Sequence, residues 1–286
     1  MRIRKNFVLA ATVTFALRGL AADTDTRYEE ILTRDDALMQ EFENTAARRS
    51  ILQEASLRAK LRRLEADYRF FTQEHPKDTD ALVAFGGFLY DQGREEEGLQ
   101  CWQKAIAIDP RCAKAYNNLA VHYGHNGNAA EALRDHQRAF ELDPTDPIYH
   151  FNWATTCILF RKDAHEVYGW DTDQIFQHSQ REFREARDLE PQNIEYAQAY
   201  AESFYEVTKP DWQQAYAAWQ FCLNQPVDDT SRERVYCHLA RVCLLWGRFD
   251  EARSWLAKIE SKDVLPMRRV LERRLAESEG AAQKAR

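Results

Sequence analysis

The sequence predicts an all-α fold of stacked helix pairs, and three observations carry that expectation. Pro76, Pro110 and Pro144 stand 34 residues apart, a spacing that marks one helix-turn-helix unit per repeat. Between these prolines the same residue types return at the same offsets. One unit reads Leu82-x2-Phe85-Gly86-x2-Leu89, Gly93, Gly98-x3-Trp102, Ala105 and Pro110, and the next reads Tyr116-x2-Leu119-Ala120-x2-Tyr123, Gly127, Ala132-x3-His136, Ala139 and Pro144. Finally, the 286 residues hold only 8 prolines and 10 glycines, and the prolines fall mostly where helices are expected to end.

Each residue type has a physical reason to sit where it does. Gly86, Gly98, Ala120 and Ala132 let two helices approach closely, and Phe85, Trp102, Leu119 and Tyr123 fill the space around the contact. Gly93 and Gly127 suit the left-handed ending of the first helix of a pair. Asp109-Pro110 and Asp143-Pro144 end the second helix, because proline pushes the preceding residue out of helical geometry. One pair cannot bury its apolar face alone, so several must stack. This pattern resembles the tetratricopeptide repeat (TPR). The resemblance implies an α-α superhelix, a TPR solenoid of about five helix pairs, here with a long N-terminal helix and a C-terminal capping helix.

Taken in order, residues 1–21 read as a secretory signal. Arg2, Arg4 and Lys5 open it, an apolar run extends from Asn6 to Leu17, and Gly19-Leu20-Ala21 supplies small residues at a cleavage site. Arg18 is unusual there, and an uncleaved anchor or an ordinary N-terminus is the competing interpretation. Residues 22–78 form a helical segment with a degenerate repeat. It has no glycine or proline from Tyr28 to Thr72, and Ile31, Leu38, Leu57, Leu61, Leu64, Tyr68 and Phe71 recur at helical spacing. One long helix, or two tightly joined, would satisfy that pattern, and a short dimerising seam is an option. Arg48, Arg49, Arg58, Lys60, Arg62, Arg63 and Arg69 make it basic, as a solvated face does.

Residues 79–146 hold two well-matched repeats. Residues 147–191 hold a third, beginning His150-x2-Trp153-Ala154-x2-Cys157, whose closing Pro191 comes 47 residues after Pro144, so 13 residues are inserted. The insertion is expected as a loop over 161–174 containing Tyr168-Gly169-Trp170. Residues 192–227 form a divergent repeat with an extended first helix through Tyr196 and Tyr200, a break at Lys209-Pro210, and Ala215, Trp219 and Cys222 in its second helix. Residues 228–263 recover the pattern with Tyr236-x2-Leu239-Ala240-x2-Cys243 and Gly247. Residues 264–286 supply a capping helix through Val270, Leu271 and Leu275, with a frayed tail from Glu279.

Composition narrows the chemistry. Cleavage after Ala21 would remove four basic residues and no acidic one, taking the formal charge from -7 to -11, an acidic balance that argues against nucleic-acid binding. Of six cysteines, Cys157 and Cys243 fall in the slot of Tyr123 and Cys222 in that of Ala139, as apolar filler; a Cys222–Cys243 bridge is the alternative. No C-x-x-C, H-E-x-x-H, G-x-S-x-G or phosphate-cradling glycine loop occurs. His122 and His125 share a helix face, but two imidazoles fall short of a metal site. No enzyme activity, cofactor or metal is expected.

In the family, the first helix of each pair lines a concave groove, and its offsets nominate Val83, Tyr90, Lys114, Asn117, Val121 and Phe151, followed by Ile158, Tyr196, Tyr200, Arg234 and Arg241. The groove would be aromatic in the middle and basic towards one end. Tyr168 and Trp170 of the insertion are further contact candidates, unless they plug a gap between helices. The lysine-and-asparagine clamp that some relatives close on acidic chaperone tails is not expected, since Val83, Gly87, Ile148 and Asn152 occupy its positions and only Asn118 matches. The function implied is an exported scaffold, in a bacterial periplasm or cell envelope, that binds a protein or peptide. The alternatives are a homo-oligomeric spacer using the N-terminal helix and an accessory subunit of an envelope enzyme complex.

Overall fold

A computed structural model describes residues 26–45 and 51–284. The signal-like segment and Arg48 and Arg49 lie outside these residues. Among the described residues there are fourteen α-helices and no strand. The chain divides into two compact units, residues 1–115 and 116–286.

The first unit contains α1 (Thr26–Thr45), α2 (Ile51–Glu74), α3 (Thr79–Asp91) and α4 (Glu95–Ile108). The N-terminal segment is thus two helices, and they run antiparallel. Arg27 pairs with Glu74 at 3.8 Å, Arg34 with Asp67 at 2.7 Å and Lys60 with Glu41 at 2.7 Å, so partners rise in number on α1 as they fall on α2. The Tyr68 hydroxyl donates to Asp35 at 2.6 Å. Ile31, Leu38, Leu57, Leu64, Tyr68 and Phe71 are buried between the two helices and against Phe85, Phe88 and Leu89 of α3. The stripe that offered a dimerising seam is therefore spent inside the unit.

The pair α3–α4 shows what the small residues do. A Cβ on Gly86 would lie 2.5 Å from Trp102 Nε1, and one on Gly98 would lie 2.7 Å from the Gly86 carbonyl. The glycines bring the two backbones into contact, and Trp102 closes the gap by donating its indole N–H to the Val83 carbonyl at 3.1 Å. Asp78 caps α3 by accepting from the Ala81 amide.

The second unit begins within α5 (Ala113–His125) and continues with α6 (Ala129–Leu142), α7 (Pro147–Leu159), α8 (Arg161–Tyr168), α9 (Thr172–Leu189), α10 (Ile194–Ser203), α11 (Trp212–Leu223), α12 (Asp229–Leu245), α13 (Phe249–Leu256) and α14 (Leu265–Lys284). Asp146, Asp171, Asn193, Asp211 and Asp228 cap helices α7, α9, α10, α11 and α12 through their side chains. Gly93, Gly127 and Gly247 have φ of +75°, +83° and +81° where first helices end, as expected from their positions. Helix α7 packs on α9, α10 on α9 and α11, and α12 on α11 and α13, while α14 covers α12 and α13.

Three expectations change. The insertion is helical: α8 runs from Arg161 to Tyr168, Gly169 ends it with φ +69°, and Asp171 and Gln174 form a capping box that starts α9. Helix α10 spans ten residues and stops at Ser203, well before Lys209-Pro210. The C-terminal helix stays regular to Lys284, and Glu279 pairs with Arg253 of α13. All six cysteines are free. Cys222 belongs to the core around Trp219 and Cys243 to the one sealed by Leu271 and Leu275, so both act as buried filler.

Candidate functional site

The opening helices of successive pairs in the second unit are joined edge to edge by side chains. Asn152 Nδ2 of α7 donates to Asn117 Oδ1 of α5 at 2.9 Å. The rings of Phe151 on α7 and Tyr196 on α10 meet at 5.0 Å between centroids. Tyr205, two residues past α10, donates its hydroxyl to the His238 carbonyl of α12 at 3.4 Å. Four helices thereby present one continuous face.

At the α12 end of that face the side chains form a layered stack. His238 lies flat on Trp219, with centroids 3.9 Å apart and planes 10° apart. Burial, and then the charge of Arg241, push the His238 imidazole down to about 4, so it is neutral at pH 7 and serves as packing. The Arg241 guanidinium sits 3.9 Å above the Tyr205 ring, a cation–π contact that fixes its position without using its N–H donors. Neither Arg241 nor the exposed Arg234 has an ion-pair partner among the described residues. Leu245, on the same side of α12, is 46% exposed, and Leu159 at the end of α7 is 41% exposed.

Not every nominated residue reaches solvent. Val83 is buried, and its carbonyl receives the Trp102 indole. Tyr90 packs its ring against Trp102 at 5.3 Å. Lys114 is exposed and pairs with Asp80 at 3.0 Å. Asn117 and Phe151 serve the lateral contacts just described, while Val121 and Ile158 are half-buried on the same helices.

The largest revision concerns α10. Tyr196 and Tyr200 are 5% and 6% exposed, held in the core with Ala197, Ala201 and Phe204. Arg187 covers Tyr200 at 4.4 Å. Ala201 occupies the small-residue slot that Ala154 and Ala240 fill on α7 and α12, so the helix is turned by one residue relative to the expected register. The residues it offers to solvent are Glu195, Gln198 and Glu202, and Tyr205 follows on the same line. The spacing Ala197-x2-Tyr200-Ala201-x2-Phe204 carried this signal, since it repeats Tyr116-x2-Leu119-Ala120-x2-Tyr123. The middle of the face is therefore carboxylate-bearing rather than aromatic, and only the α12 end is basic.

Tyr168 and Trp170 fill space within the second unit. The Tyr168 hydroxyl accepts the Trp153 indole N–H and donates to the Leu133 carbonyl, each at 3.0 Å. Trp170 stacks on His178 at 3.9 Å and on Tyr168 at 4.5 Å. Among the described residues no group of three His, Cys, Asp or Glu side chains could hold a metal, and no helix is long and apolar enough to cross a membrane. The His150–Glu182 pair, Nδ1 to Oε2 at 2.7 Å, is an acid–base pair with both side chains less than a tenth exposed, closed to a substrate.

Comparison with known proteins agrees with this geometry. A family model described as the TPR repeat matches residues 88–127. The Hsp70-Hsp90 organizing protein 1 of Glycine max is 37% identical over 70 residues, which is 24% of this chain and 12% of that protein. The solved structure of YrrB, described as a TPR protein with an unusual peptide-binding site, superposes with TM-score 0.53 at 12% identity, over 76% of this chain and 97% of that one. PilF of Pseudomonas aeruginosa superposes with TM-score 0.52 at 16% identity, over 80% and 91%. Residues 88–127 therefore match the TPR repeat, and the chain has the all-α solenoid fold of these TPR structures. It spans about an eighth of the length of the Glycine max relative.

Proposed function

We propose that this chain is an exported scaffold that binds a protein or peptide segment along the face built from α5, α7, α10 and α12. The observation that carries the proposal is Arg241, held over Tyr205 with its donors uncommitted and with exposed Leu245 one turn away. Such a fixed cation beside apolar surface can hold a carboxylate or a carbonyl while an aliphatic side chain docks next to it. The YrrB structure is described by its peptide-binding site, and the same use of the fold is proposed here.

The test uses the full chain, immobilised and panned against a random linear peptide library, with enriched peptides resynthesised and measured by fluorescence anisotropy. Arg241→Ala and Tyr205→Ala are each expected to weaken binding about tenfold, or about 1.4 kcal/mol, while Tyr123→Phe leaves it unchanged. Absence of any enriched peptide, or binding indifferent to both variants, overturns the proposal. The export half rests on residues 1–21 and is checked separately: a mature N-terminus at Ala22 in envelope fractions supports it, and intact Met1 in the cytoplasm refutes it.

A further inference from the structure

The first and last helices carry opposite charge, without ion-pair partners among the described residues, beside the seams on which they pack into their own units. Helix α14 lays Leu271 and Leu275 into the core shared with α12 and α13. Beside that seam it exposes Met267 (42%) and Val270 (40%), flanked by Arg269, Arg273 and Arg274. None of those three arginines has a partner among the described residues. Helix α1 packs Ile31 and Leu38 inward, with its contacts on α2 and α3. Away from that seam, half-buried Leu32 and Met39 lie outside the cluster, and Glu29, Glu30 and Asp36 have no ion-pair partner among the described residues.

The two surfaces match in kind and in spacing. On α1, Glu29, Leu32, Asp36 and Met39 follow one another at i, i+3, i+7 and i+10; on α14, Met267, Val270 and Arg274 follow at i, i+3 and i+7. The α1 stripe alternates charged and apolar residues, the α14 stripe sets two apolar residues before an arginine, and such stripes interdigitate when two helices pack side by side. We propose that α14 of one copy docks on α1 of a second copy, a head-to-tail contact in which arginines meet carboxylates around a small apolar centre. The contact is heterologous, because the two surfaces differ, and so it extends into a chain of copies or closes into a ring. At a formal charge of -7 two copies repel at most approaches, and the basic stripe of α14 singles out this one.

Sedimentation velocity on the full chain, over a range of protein concentration and at low and high salt, tests the proposal. The wild type is expected to associate with rising concentration, less so at high salt. Glu29→Lys with Asp36→Lys in one variant, and Arg269→Glu with Arg273→Glu in another, are each expected to weaken association at least about tenfold while circular dichroism remains that of the wild type. Mixing the two variants restores it, because each then meets a complementary partner. A wild type that stays monomeric throughout, single-face variants that associate as before, or a mixture that fails to recover would each overturn the idea. Peptide binding at Arg241 is unaffected by these substitutions, so the two proposals fail independently.

Discussion

At the scale of single residues, two histidines in the second unit pull stability in opposite directions with pH. His136 occupies a slot expected to be aromatic. It is 3% exposed with Nδ1 unpaired, and burial pushes it down to about 3. A histidine whose folded value lies below its unfolded value near 6.5 adds stability that is complete above that pH and is lost as pH falls towards 3. His150 behaves the other way. Burial works against its charge, but hydrogen bonds to Glu182 and to the Pro144 carbonyl at 3.0 Å outweigh it and raise its value. Its contribution is complete below about 6.5 and is lost as pH rises through the folded value. Replacing His136 by Phe is expected to leave the fold intact and to flatten the acid limb, recovering on the order of 2 kcal/mol near pH 4 relative to wild type. Urea melts near pH 7 and near pH 4 check this; an unchanged acid slope would show that another group governs it.

At the scale of elements, the α3–α4 contact makes the sharpest prediction. Gly98→Ala improves intrinsic helix propensity by about 1 kcal/mol, yet the new methyl would meet the Gly86 carbonyl at 2.7 Å, and backbone cannot yield as a side-chain tip can. Net destabilisation of about 1–3 kcal/mol is expected, visible as a lower thermal midpoint; a raised midpoint would mean that the helices are free to separate. Elements of this kind were legible in the sequence because Gly86, Gly98, Trp102 and the 34-residue period report backbone distance directly. The orientation of α10 differs from the expected one because its alanines and not its tyrosines fix the register: Ala197 and Ala201 set the close approach, and Tyr196 and Tyr200 follow them into the core. The helical nature of 161–168 was hidden because its apolar side is only Ala164, Val167 and Tyr168, too short a stripe to stand out. The stack of Trp219, His238, Tyr205 and Arg241 was beyond sequence reasoning, since it joins residues from two helices and a turn.

At the scale of the whole molecule, stacked pairs leave a raw end, and α14 seals it over Cys237, Cys243, Leu256 and Ile259. Truncation after Ser261 should therefore speed the reaction of a disulfide reagent with the thiols of Cys237 and Cys243, which burial pushes up to about 11 and about 12 in the intact chain, and should lower solubility. Labelling no faster than in the full chain would mean that the last repeat closes by itself. The insertion between α7 and α9 has a different consequence. Tyr168 accepts the indole N–H of Trp153 and donates its own hydroxyl to the Leu133 carbonyl, so excising α8 in favour of a short turn would strand the Trp153 N–H in an apolar setting. Helix α8 is thus a structural part of its surroundings and not a detachable loop: a shortened chain would need a different residue at position 153 to go with the shorter turn.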